Sequence, residues 1–103
     1  MKGGDFMIVE HVEFKNADYP YADIMQYDGE NRKVEDLIKG PMTCTYKWRN
    51  RYTFCVPGSE EMYVIDPNTK NIEFMYYVGG GMFIEDEPDA VEITADEVRR
   101  ALS

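Results

Sequence analysis

The chain has 103 residues, 44% hydrophobic and 14% aromatic, with a formal net charge of −9. That length suits one domain, expected to span residues 1–103, with one buried core. The apolar content excludes disorder over most of the chain. No apolar run approaches the roughly 18–20 residues of a membrane-spanning helix. The start, Met1-Lys2-Gly3-Gly4-Asp5, lacks the regions of a signal peptide, so a cytoplasmic protein without membrane contact is expected.

In chain order, Phe6 to Phe14 predicts a strand with Phe6, Ile8, Val12 and Phe14 on one face, interrupted by Glu10. Asn16 to Tyr21 reads as a loop or turn, because Pro20 discourages a helical Tyr19. Ala22 to Tyr27 predicts a short strand closed by Asp28-Gly29. Glu30 to Lys39 predicts a helix with Val34, Leu37 and Ile38 as a narrow apolar stripe. Gly40 suits its C-cap, and Pro41 forbids continuation.

The richest stretch is residues 42–84. Met42 to Trp48 and Arg51 to Val56 carry the aromatic and β-branched residues that fit a pleated surface. A two-residue turn at Arg49-Asn50 would set Trp48 opposite Arg51, Tyr46 opposite Thr53 and Cys44 opposite Cys55. Pro57-Gly58-Ser59 ends the second strand. Glu61 to Ile65 is a third, Asp66-Pro67-Asn68-Thr69 a type I turn, and Asn71 to Val78 a fourth strand. Gly79-Gly80-Gly81 interrupts it before a short final strand at Met82-Phe83-Ile84. Short connections make this a sequential antiparallel meander.

Beyond it, Glu85-Asp86-Glu87-Pro88-Asp89 is an acidic tract. Thr94-Ala95-Asp96-Glu97 is a capping box, with Ile93 and Val98 at the staple positions. Val98, Ala101 and Leu102 form the stripe of a short helix that must dock to persist. The expected fold is α+β: an antiparallel meander sheet of five or six strands, a short helix before the meander and a C-terminal helix packed on it.

Candidate chemistry is sparse. His11, the single histidine, would need Cys44 or Cys55 as a nucleophile, and no motif surrounds either. A metal site from these three residues lacks short ligand spacing. A cross-strand disulfide between Cys44 and Cys55 is geometrically open, but reduced thiols are expected in a cytoplasmic protein. The triple glycine has no phosphate-loop spacing. No catalytic, metal or cofactor site is therefore assigned, and a non-enzyme is expected.

Two surfaces stand out. Lys47, Trp48, Arg49 and Arg51 cluster at the tip of the first hairpin, as a partner contact if Trp48 is exposed and as a soluble edge around a core tryptophan otherwise. The acidic surface comprises Glu60, Glu61, Glu85, Asp86, Glu87, Asp89, Glu92, Asp96 and Glu97. Residues 1–58 carry 9 acidic and 8 basic side chains, and residues 59–103 carry 11 and 3. That asymmetry argues against nucleic-acid binding through the C-terminal half and for a partner with a basic surface.

The functional expectation is an acidic interaction protein that inhibits a basic, nucleic-acid-handling partner as a nucleic-acid mimic. Small acidic proteins of phages and mobile elements, anti-CRISPR inhibitors among them, are similar in size and charge, a likeness of composition alone. The alternative is a small-molecule-binding or regulatory module with a pocket lined by Tyr46, Trp48, Tyr52, Tyr63, Tyr76 and Tyr77. A homo-oligomer joining basic tips to acidic faces is a third reading.

Overall fold

A computed structural model of the chain describes residues 6–13, 21–27, 32–58, 62–77 and 89–103. Seven strands form one antiparallel sheet: β1 (Phe6–Glu13), β2 (Tyr21–Tyr27), β3 (Thr43–Trp48), β4 (Arg51–Cys55), β5 (Met62–Ile65), β6 (Glu73–Tyr77) and β7 (Val91–Glu92). The helices are α1 (Val34–Leu37) and α2 (Ala95–Leu102). The strand order is β1-β2-β6-β5-β4-β3-β7. The fold is thus α+β, with β3 to β6 as a meander. The strand count exceeds the expected five or six because Val91-Glu92, which no periodicity marks as a strand, pairs with the free edge of β3.

The turn chemistry explains the meander. Arg49 and Asn50 both adopt positive φ, 48° and 64°, the backbone of a tight hairpin turn whose twist matches its strands. The expected pairs Trp48↔Arg51 and Tyr46↔Thr53 follow. The third does not: Cys55 pairs with Thr43, because an irregularity lies between Thr43 and Tyr46. Within it, Cys44 adopts φ 51°, a left-handed conformation costing a non-glycine residue roughly 1 kcal/mol. At the next turn the Asp66 side chain accepts from Asn68 N at 2.7 Å. The Asp66 carbonyl accepts from Lys70 N at 2.8 Å. The loop is therefore one residue wider than a type I turn, and Lys70 closes it at φ 57°.

Both faces of the sheet are buried, so β5 is buried at every position. On the outer face, Phe54, Tyr63, Ile65, Ile72 and Phe74 pack with Val34, Ile38, Val98 and Leu102 of the α1 and α2 regions. On the inner face, Val12, Ala22, Ile24, Tyr46, Trp48, Met62, Val64 and Met75 form a second cluster. That face is concave. Arg51 on β4 reaches Glu10 on β1, although four strand steps separate them, about 19 Å in a flat sheet. Only a curled sheet brings them together.

Two expectations near the N-terminus change. A register shift between Ile8 and Glu10 breaks the alternation along β1. Glu10 then shares the inner face with Val12, opposite Ile24 and Ala22. Ile8 ends the outer row Phe54, Tyr63, Phe74, Met25. It is 58% exposed, because the cluster that includes the α1 and α2 residues stops at Phe74. The helix predicted from Glu30 to Lys39 contracts to one turn, capped by Ile38 rather than Gly40. Arg99 of α2 sustains that turn: its Nε donates to the Ile38 carbonyl at 2.9 Å and its Nη2 to that of Gly40 at 3.0 Å. The Thr94 capping box forms as read. Phe14 and the strand expected at Met82-Phe83-Ile84 lie outside the described residues.

Candidate functional site

The hairpin tip is built around Trp48, which has no exposed surface. It belongs to the inner core, the second of the two readings of this tip, so Trp48 offers a partner no surface. Two guanidinium groups flank the ring, that of Arg49 4.9 Å from its centroid and that of Arg51 5.6 Å. Such contacts favour a cation over an aromatic face. Both cations also meet carboxylates, Arg51 that of Glu10 and Arg49 that of Asp89 at 3.5 Å. Glu73 shares the inner face with Val64. Burial raises its pKa, with Asp66 and Glu10 adding to the rise and Arg51 opposing it.

The tip and the acidic C-terminal segment, separate in sequence, are thus neighbours. Lys47 pairs with Val91 and Tyr46 with Glu92 across β3–β7. Asp89 engages Arg49, Asp96 accepts from Arg99 at 3.2 Å, and Glu97 receives the Thr94 N–H at 3.0 Å. Those bonds to Thr94 hold the Glu97 carboxyl below its usual range. Three of the nine acidic candidates therefore serve the fold. Glu92 is exposed. Glu60, Glu61, Glu85, Asp86 and Glu87 lie outside the described residues, as does Gly79-Gly80-Gly81.

The net charge is unevenly spread along the sequence: residues 59–103 carry 11 carboxylates and 3 lysines or arginines.

Of the six aromatic side chains proposed for a ligand pocket, the five described do not converge. Tyr46 and Trp48 pack in the inner cluster, whereas Tyr63 and Tyr52 pack on the outer one. Tyr76 is exposed, and the Tyr77 side chain is outside the described set. A cleft the sequence did not reveal, about 320 Å³, lies between the outer face of β3–β4 and α2. Lys47, Tyr52, Ile93, Glu97, Arg100 and Ala101 line it. Its only sequence signal was the pairing of Lys47 with Tyr52, whose ring the ammonium overlies at 5.9 Å.

His11 stands on the outer surface and not beside a thiol. Its Nδ1 donates to Asp23 at 2.7 Å, Glu13 lies 3.5 Å from Nε2, and the Tyr21 ring meets the imidazole at a tilt of 45°. The Asp23 hydrogen bond chiefly raises the imidazole pKa. Cys44 and Cys55 are both free, Cys44 exposed and Cys55 half-buried. Among the described residues no group of three or more His, Cys, Asp or Glu side chains is placed to hold a metal ion. No described helix is long and apolar enough to cross a membrane. Comparison with family models, with curated proteins and with solved structures finds no match.

Proposed function

We propose that this chain is a non-enzymatic interaction protein that blocks a basic, nucleic-acid-handling partner by presenting carboxylates to its phosphate-binding surface. The observation that carries this reading is the partition of charge. Residues 59–103 carry 11 carboxylates against 3 lysines or arginines, eight of the nine net negative charges, while Arg49 and Arg51 at the tip already meet Asp89 and Glu10. Charge concentrated in this way steers association with a positive groove and discriminates against acidic partners. Glu60, Glu61, Glu85, Asp86 and Glu87 are the contact candidates, with the exposed Glu92 as a further one. Asp89, Asp96 and Glu97 are assigned to internal bonds instead.

The test is capture of nucleic-acid-binding proteins from the native host on the immobilised chain, at low and high salt. Expected is a captured protein that nucleic acid displaces and salt releases. A variant with the five carboxylates changed to Gln or Asn should lose that capture, whereas D96N should keep it. Capture indifferent to ionic strength, or unaltered in the five-site variant, overturns the proposal, because exposed charge pairs are screened beyond about 8 Å at physiological salt.

A further inference from the structure

The irregularity in β3 replaces the direct pairing of Cys44 with Cys55 that a regular hairpin would make by a pairing offset by one residue. Thr43 is the ladder partner of Cys55. Cys44 is the next residue along β3, beside that ladder pair. Cys44 adopts the left-handed φ of 51° there, close enough to Cys55 for its charge to act on that thiol. Adjacency to a ladder pair keeps the two Cα atoms within the roughly 7 Å a disulfide permits.

The thiols are unequal. Cys44 is exposed, while Cys55 packs against the inner cluster beside Met62 and Val64. Burial, and then the Cys44 charge and hydrogen bond, push the Cys55 thiol up to about 11. An accessible sulfur backed by a protected one is the arrangement of an attacking thiol and a resolving thiol.

We propose that Cys44 and Cys55 form a dithiol site that exchanges with low-molecular-weight disulfides of the glutathione type. The Cys44 thiolate attacks one sulfur of the small disulfide. A protein–small-molecule disulfide forms, the original S–S bond breaks, and the departing thiolate takes up a proton. With Cys44 now uncharged, its repulsion of the Cys55 thiolate is gone, which lowers the cost of ionising Cys55. Cys55 releases its proton and attacks the Cys44 sulfur, expelling the second small thiol. Two protein thiols are oxidised and one small disulfide is reduced to two thiols, so the reaction balances without another oxidant.

The experiment treats the full chain with oxidised glutathione and follows intact mass and free thiols. Expected for the native sequence is loss of both thiols and two hydrogens, with a monomeric product that retains no glutathione. C55S should accumulate one bound glutathione, and C44S should react at least tenfold more slowly. Circular dichroism of both variants checks that the fold persists, and the native chain in urea gives the rate without the fold. A native product that keeps glutathione, disulfide-linked dimers, equal rates for the two variants, or no acceleration over the urea control would overturn the assignment.

Discussion

His11 is the residue whose surroundings make the plainest claim about pH. The hydrogen bond to Asp23 favours the imidazolium in the folded chain, so its pKa lies above the ordinary 6.5. The resulting stabilisation is complete below 6.5 and is lost as pH rises through the raised folded value. The ring is exposed, so the clearest readout is a titration of its proton resonances. D23N should bring the midpoint back toward 6.5, whereas E13Q, which removes a lesser cause, should shift it less. An unchanged midpoint in D23N would contradict the assignment. Glu97 works in the opposite sense: its lowered pKa contributes stability that is present above 4.5 and lost as pH falls through the depressed value.

Among the elements, α1 depends most on a distant residue. One turn cannot hold itself, and Arg99 supplies the donors its final carbonyl groups lack. R99A should cost about 1.5 kcal/mol in a urea titration, the low end for hydrogen bonds to a charged group. R99K should recover only part of that, since one ammonium cannot reproduce the planar fork. No such dependence was legible in the sequence, where Val34, Leu37 and Ile38 promised a longer helix. What was legible followed from local chemistry. Arg49-Asn50 set the register next to it, and Thr94 with Glu97 marked the start of α2. Cys44 escaped because nothing in Met42-Thr43-Cys44-Thr45 announces a left-handed residue. β7 escaped because two residues carry no periodicity. The candidate surfaces were legible as charges but not as neighbours, since the pairing of Arg49 with Asp89 depends on the edge of β3 accepting β7.

At the scale of the whole molecule, the curl of the sheet decides which charges meet. Arg51 fastens β4 to β1 through Glu10, with Trp48 beneath its guanidinium. E10Q should loosen that closure. Amide hydrogen exchange in β1 and β2 should quicken by roughly tenfold, corresponding to about 1.4 kcal/mol, while β4 and β5 change little. Uniform acceleration across the sheet would mean that the ion pair supports global stability and not the closure.

The strand order has a further consequence during synthesis. β1 and β2 leave the ribosome as a hairpin, but the neighbour of β2 is β6, which follows only after α1, β3, β4 and β5. At ordinary translation speeds the delay is on the order of seconds. Throughout it Val12, Ala22 and Ile24, all buried in the finished chain, have no inner cluster to enter. The N-terminal hairpin is therefore the part of the nascent chain that waits longest, between its own synthesis and that of β6, for its place in the sheet.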